Sequence, residues 1–501
     1  MWLFLAGVDG WNVLLGDADA GWHIRTGEYV LDHHAVPTQD LFSFTKQGAS
    51  WFAWEWLSDI AYAGAFRLAG LKGVVLLAGV LIALFATVLL RHIFWRGVNA
   101  FIALPLALLV VGSSSMHFLA RPHLFTLLLL AAALWLLEAD RRHNSAWVWA
   151  LVPVTVLWTN LHGGFAIFLV CLGLLVAGSA VEAMLLKTGW NNVRRYSFLL
   201  VGCTAATLVN PYGIGLHRHI FEYLRSDWIR NTIQEFQAPT FRTEGQLQFE
   251  ILLIGGILVA AMMLRKCRIT EALWILFLGH AALNSVRHAP VFAVVAAPII
   301  AEELHAMWAV RTRNMKRGSI VQTLHQIGAD LSPAFGRSTF WIGVVVIVLA
   351  ITNSPLHWPQ DFPKIIFPVD VVASHPDLLR GQKVLTTDQW GDYLIYRFYP
   401  EQRVYVDGRS DFYGESLGKE YLHVLQLSSE WNDILTRRGF SAVLLPPEWP
   451  LVEMLKRDSG WQIVMDTGKA LLFLRRQTQP NLVLPKQTAG SSRTKENPVQ
   501  G

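Results

Sequence analysis

The chain has 501 residues, 53% hydrophobic and only 16% charged, and its mean hydropathy is positive. That balance is too apolar for an ordinary soluble protein and makes a lipid bilayer the expected solvent. The net charge of +5 follows a membrane-sided pattern, set out below, so no nucleic-acid partner is expected.

Residues 1–15 are apolar but contain Asp9, are too short to cross a hydrocarbon core of roughly 30 Å, and lack the basic start of a signal peptide. They read as the end of a span whose beginning is missing. Residues 16–56 then form a first outer loop carrying Asp17, Asp19, Trp22, His23, Asp40, Glu55 and Trp56, and 57–69 a helix returning toward the membrane. Apolar segments predict spans near 71–90, 98–116, 123–138, 145–160, 163–186, 195–210, 248–265, 269–285, 288–305 and 338–353. Tryptophans such as Trp95, Trp147, Trp149 and Trp190 fall near span ends, where the amphipathic ring favours the interface.

Basic residues fix the orientation. Arg91 and Arg96, Arg141 and Arg142, Lys187 with Arg194 and Arg195, Arg265 with Lys266 and Arg268, and Arg311 through Arg317 occupy alternate gaps, which should face the cytoplasm. The loop at 211–247 and everything after residue 353 are then extracytoplasmic. Cys171, Cys203 and Cys267 lie in spans or on the inner side and imply no disulfide framework.

The outer gaps hold the concentrated polar motifs: Arg121, Pro122 and His123; Asn160, His162, Gly163 and Gly164; Asn210, Pro211 and Tyr212; Asn284, Arg287 and His288. Polar groups gathered at one end of many helices imply a shared, water-accessible cavity. In such a cavity a half-buried carboxylate can take a proton from a hydroxyl. Arginines and histidines at neighbouring span ends can hold a phosphate and stabilise the charge that grows as it leaves. The structural alternatives are plain: Asp17 and Asp19 as helix caps, Arg121 and Arg287 as snorkelling anchors, His162 as the cap of a tight turn.

Beyond residue 353 the pattern becomes that of a small α/β domain. KVLTTD, YLIYRF, RVYVDG, SAVLLP, WQIVMD and ALLFLRR read as strands, and 415–427, 430–438 and 448–457 as helices. Asp407, Gly408, Arg409, Ser410 and Asp411, beside Asp388 and Asp392, form its densest polar cluster, either an acceptor-binding turn or a strand-ending turn closed by an Asp–Arg pair. The expected organisation is a multispanning membrane domain over 1–355, an extracytoplasmic α/β domain over 356–477 and a disordered tail over 478–501.

Asp-Ala-Asp followed by Trp-His, Trp-Glu-Trp-Leu, Arg-Pro-His, Asn-Leu-His-Gly-Gly-Phe and a later Arg-His before an apolar helix together resemble the GT-C superfamily of multispanning glycosyltransferases. The resemblance extends to bacterial members similar to dolichyl-phosphate-mannose protein mannosyltransferases, and covers residues 1 to 475. It implies a polytopic α-helical protein of about 10–11 spans with an outer α/β domain, in a bacterial-type inner membrane. It also implies a polyprenyl-phosphate sugar donor, inverting displacement, and an acceptor that is a protein, lipid or glycan. By position, Asp19 or Asp17 is the catalytic carboxylate, and Arg121, His123, Arg287 and His288 are the phosphate-binding groups. Trp22, His23, Glu55, His162, Asn210, Asp407 and Arg409 are further outer-face candidates. A divalent cation (Mg or Mn) on Asp17 and Asp19 is an open call, whereas His217 and His219 are too common a pair to identify a zinc site.

The chain has no G-x-x-x-x-G-K loop, which argues against ATP-driven transport. The rival readings are a secondary transporter or flippase, which predicts charges near the bilayer midplane, and a membrane-anchored binding or assembly protein working through its outer domain.

Overall fold

The computed structural model describes residues 10–313, 319–337 and 358–476; the span expected at 338–353 and the tail at 478–501 lie outside the described residues. The helices run in chain order: α1 Asp19–His33, α2 Trp56–Trp95, α3 Ala100–Ser113, α4 His123–His143, α5 Leu151–Leu161, α6 Phe165–Leu186, α7 Asn191–Ala206, α8 Ile214–Arg225 and α9 Asp227–Thr232. They continue as α10 Glu244–Arg265, α11 Ile269–Asn284, α12 Ala289–Arg313 and α13 Ile320–Arg337. A helix stands over each expected apolar segment within the described residues. Five are long and apolar enough to cross a membrane, and Ala100–Ser113, Ala146–Leu161 and Ile269–Asn284 are shorter apolar helices. The chain is therefore an integral membrane protein built on a polytopic helical fold.

Local chemistry sets the boundaries. The returning helix at 57–69 and the span at 71–90 are one element, α2, broken at Ala69 and Gly70, where Gly70 takes a positive φ of 59°. Helix α4 starts directly after Pro122, which has no amide proton to lose there, and ends on Asn144 in the left-handed conformation. Helix α1 crosses the start of α2 so closely that a Cβ on Gly27 would lie 2.0 Å from the Asp59 carbonyl oxygen. This close approach holds the first outer loop against the bundle.

The C-terminal region carries α14 Val369–Ser374, α15 Asp388–Phe398, α16 Ser410–Leu425, α17 Trp431–Arg438 and α18 Pro450–Arg457. Its sheet has the order β1-β2-β4-β3, with β1 (Val384–Leu385) parallel to β2 (Ala442–Leu445) and β4 (Leu471–Arg475) antiparallel to both β2 and β3 (Trp461–Asp466). Two strand expectations are corrected. YLIYRF lies in helix α15, because the Thr387 side chain accepts from the Trp390 N–H and starts a helix whose buried residues include Trp390, Tyr393, Leu394 and Phe398, at helical spacing. RVYVDG joins no sheet: Val404 pairs with the first outer loop, accepting from the Phe44 N–H and donating to the Phe42 carbonyl. A partner some 360 residues away leaves no local signal.

Helix α15 packs on α1, where Arg25 Nε donates to the Tyr396 carbonyl (3.0 Å) and the Ala18 N–H donates to Gln389 Oε1 (3.1 Å). The C-terminal region therefore roofs the end of the bundle that bears α1.

Candidate functional site

The start of α1 is the first half of the site. Asp17 caps it, its Oδ1 accepting the Asp19 N–H at 2.9 Å. The other Asp17 oxygen lies 2.7 Å from Arg121 Nη1, Asp19 Oδ2 lies 2.7 Å from Arg121 Nη2, and Glu235 Oε1 completes the set at 3.2 Å. Arg121 is positioned by the turn before α4, where the Tyr62 hydroxyl donates to its carbonyl (3.0 Å). One guanidinium thus serves three carboxylates.

Burial decides how these groups titrate. It pushes Asp19 up to about 7 despite Arg121, and Glu55 up to about 8. Burial likewise raises Asp392 well above the usual carboxylate range, the more so beside Asp19 and Asp407. For Glu235 burial is outweighed by Arg121 and Arg287, which bring it down to about 2. Burial also opposes the charge on Arg121, but Asp17, Asp19 and Glu235 more than offset it and keep the guanidinium protonated. The result is one poised carboxyl, Asp19, beside neutral Glu55, a raised Asp392 and ionised Glu235.

The C-terminal region closes over Asp19. The Gly408 N–H donates to both oxygens of Asp392 at 3.1 Å, and a Cβ on Gly408 would lie 2.1 Å from Asp19 Oδ1, so only glycine fits this turn. Asp19 is 4% exposed, and Oδ1 has no hydrogen-bond partner among the described residues.

The second half gathers an arginine and several histidines at an apolar cavity of about 240 Å³ lined by the first turns of α4, α6 and α12 and by α8. His117, His123, His162, Arg287 and His288 line it together with Leu127, Ile167, Val170 and Leu224. His162 Nδ1 accepts the Gly164 N–H (3.0 Å), which leaves its Nε2 proton directed at Glu55 Oε1, 3.5 Å away. Burial, then Arg287, pulls His162 down to about 3, so the ring is neutral. His123 Nε2 donates to the His117 carbonyl. Arg287 lies over the Phe236 ring at 4.5 Å, and among the described residues it has no ion pair with a carboxylate.

A chamber of about 100 Å³ joins this cavity to a third one of about 510 Å³ beneath the C-terminal region. The chamber shares Trp54, His162, Tyr223 and Arg287 with the first cavity, and Asp19, Arg121, Tyr223 and Glu235 with the third. Tyr223 lines all three. An apolar tail can thus lie in the first cavity with its head at Arg287 and Arg121, while a hydrophilic molecule approaches Asp19 from the third.

Asp17, Asp19, Glu55, Arg121, His123, His162, Arg287 and His288 all line these three connected cavities. Trp22 and Arg409 also line the chamber, and like His23 and Asn210 they are held in structural contacts. His23 is buried with Nδ1 2.6 Å from Asp59, and burial holds its ring neutral; Trp22 packs on it at 3.6 Å between ring centres. Asn210 folds its own turn, bonding to Thr207, Tyr212 and Gly213. Arg409 is 3% exposed, bonded to Asp407 (2.6 Å) and Asp40 (2.8 Å), and clamps the 407–409 turn to the first outer loop. Glu235 and Tyr223 were not singled out from the sequence; their only signal is a place in the long outer loop. Among the described residues no three His, Cys, Asp or Glu groups form a metal-ligand set. Asp17, Asp19 and Glu235 instead converge on the Arg121 cation, so the arrangement does not fit a divalent ion.

The helical bundle with its small roofing sheet is similar in fold to archaeal oligosaccharyltransferase structures. Among solved structures, the chain is similar to the archaeal oligosaccharyltransferase AglB from Archaeoglobus fulgidus in complex with an inhibitory peptide and a dolichol-phosphate, with a TM-score of 0.54 and 14% identity over 93% of this chain and 71% of that one. The apo form of the Archaeoglobus fulgidus oligosaccharyltransferase gives 0.52 and 14% over 88% and 68%. The form tethered to an acceptor peptide gives 0.50 and 13% over 86% and 65%. At such identities the likeness is one of fold. No family model and no curated protein matches the sequence.

Proposed function

We propose that this protein transfers a sugar from a polyprenyl-phosphate donor to an acceptor hydroxyl at the outer face of a bacterial-type inner membrane, with Asp19 as general base. The observation that carries the reading is the connected path itself: an apolar cavity ending at Arg287 and the histidines, a short chamber, and an open cavity bearing Asp19. The lipid tail enters between α4, α6 and α12, and its phosphate meets Arg287 and Arg121, with His123 and His288 behind them. Guanidinium groups suit this role because they bind phosphate oxygens in pairs and stabilise the charge that develops as it departs. Residues 1–355 form the membrane domain of this scheme and 356–477 the extracytoplasmic one.

In the transfer step the acceptor oxygen bonds to the anomeric carbon while the bond from that carbon to the phosphate oxygen breaks. The hydroxyl proton passes to the Asp19 carboxylate, and the electron pair leaves with the phosphate. A carboxyl poised at about 7 suits this task, since a general base works best with its pKa near the operating pH. Asp17 holds Arg121 and caps α1, a supporting role. The archaeal neighbours, described with a dolichol-phosphate and with acceptor peptides, lend the scheme a precedent of fold.

The test is release of free polyprenyl phosphate from a panel of polyprenyl-phosphate sugars by the purified chain in lipid nanodiscs, with and without cell-envelope acceptor extract. Release that depends on acceptor is expected. Release from no donor would reject the transferase in favour of transport or binding.

A further inference from the structure

The third cavity indicates what the acceptor is. Five carboxyl groups line it, Asp17, Asp19, Glu235, Asp388 and Asp407, against the single guanidinium of Arg121. Arg121 is already shared among three of them. The cavity is thus rich in carboxyl groups, and Thr232, Ser410, Tyr421, Gln234 and Gln389 add hydroxyls and amides that can both donate and accept. A polyol, rich in O–H donors, matches that balance. An anionic acceptor would be repelled.

The rest of the wall is aromatic. Trp228, Tyr421 and Trp449 are partly exposed there. The Trp228 ring is held in place by Gly418, where a Cβ would lie 2.6 Å from Cζ2. Fixed, partly exposed rings among carboxylates suit a ligand with an apolar C–H face and a hydroxylated edge. Asp19 lines the same cavity, with Oδ2 2.7 Å from Arg121 Nη2.

We propose that the acceptor is a neutral saccharide, bound in this cavity with a ring face on Trp228 or Trp449 and one hydroxyl directed at Asp19. The proposal rests on the transferase reading and narrows its acceptor to a glycan.

Binding without donor separates the two. Saturation-transfer NMR on the full chain in nanodiscs is run with neutral hexose and pentose oligosaccharides, a uronic-acid oligosaccharide of matching length, and an uncharged peptide containing Ser, Thr and Asn. A neutral oligosaccharide is expected to bind and the other two to bind at least roughly tenfold more weakly. Trp228→Ala and Trp449→Ala should each weaken it roughly tenfold, the scale of one lost aromatic contact with its buried area. Trp449→Tyr should restore most of the affinity, and matched melting curves show that the variants are folded. Tighter binding of the peptide or uronic acid, no binding by any neutral oligosaccharide, or tryptophan variants that bind like wild type would overturn the proposal. Saccharide binding with no polyprenyl phosphate released in the donor assay would leave this site standing and sink the transferase reading. Sugar transfer to the peptide alone would do the reverse.

Discussion

Both ends of the helical bundle are charged, and they use charge in opposite ways. At the end remote from these three cavities three glutamates have several cations each: Glu302 bonds Arg96 (3.0 Å), Arg142 (2.7 Å) and Arg268 (3.2 Å), Glu271 bonds Arg141 and Arg268, and Glu138 bonds Arg96 and Arg142. At the cavity end one guanidinium serves three carboxylates, and Asp19 Oδ1, His117 Nε2 and His288 Nδ1 are buried without partners among the described residues. A network whose carboxylates are saturated ties α2, α4, α11 and α12 together. Unpartnered buried atoms occur at both ends, His92 Nε2 and Arg96 Nε among them, so it is the excess of carboxylates over cations beside the cavities that marks the cavity end as a place for a ligand.

Substitutions sharpen the contrast. The largest effect falls at the cavity end: Arg121→Gln should lower transfer by about 10²–10³-fold, the scale of one lost group stabilising a developing negative charge, in an assay of phosphate release. At the opposite end Glu138→Gln leaves the buried Arg96 and Arg142 short of a counter-charge. It should destabilise the fold by about 3 kcal/mol, read as a lower melting temperature, with the rate per folded molecule within about twofold of wild type. A similar loss of rate in both variants would erase the distinction between the two ends.

The pH profile gives a smaller effect. Transfer should rise with pH through about 7 as Asp19 loses its proton. Stability should move the other way. The folded chain holds that proton more tightly than the unfolded one, so this group's contribution falls as pH climbs from its ordinary value of 3.8 to about 7. Asp392 bonds to Asp19 and lowers its pKa, so Asp392→Ala should move the midpoint of the rate profile upward, whereas Asp392→Asn, which keeps a donor, should leave it close to wild type. The smallest change expected is in Trp56→Phe. It removes the 2.8 Å bond from the indole N–H to Asn160 and should cost about 1 kcal/mol of stability, with the pH profile untouched.

Much of this was legible in the sequence, for reasons that can be named. Apolar runs and alternating basic gaps mark helices because a bilayer demands both, and α2, α4, α6 and α12 fall where those signals lie. Asp17, Asp19, Arg121 and Arg287 stand out because charge at a span end needs a cause. Glu235 carried no such mark, being one acid in a long polar loop; only folding brings it to Arg121. The turn at Asp407–Arg409 read equally well as binding site or structural clamp. The Arg409 bond to Asp40 and the Val404 bonds to Phe42 and Phe44, which hold the roof down, join residues more than 350 positions apart. His23 illustrates the opposite error: a polar side chain beside Asp19 that faces inward to Asp59.

The central claim is that Asp19 takes the acceptor proton while playing no part in holding the donor. Single-turnover release of polyprenyl phosphate, measured with saturating acceptor on samples whose donor affinity is determined in parallel, tests it for wild type against Asp19→Asn. The account predicts a rate lower by about 10²–10⁴-fold, the range for loss of a general base, with donor affinity unchanged within about twofold. Equal rates, or a loss confined to donor affinity, would contradict it.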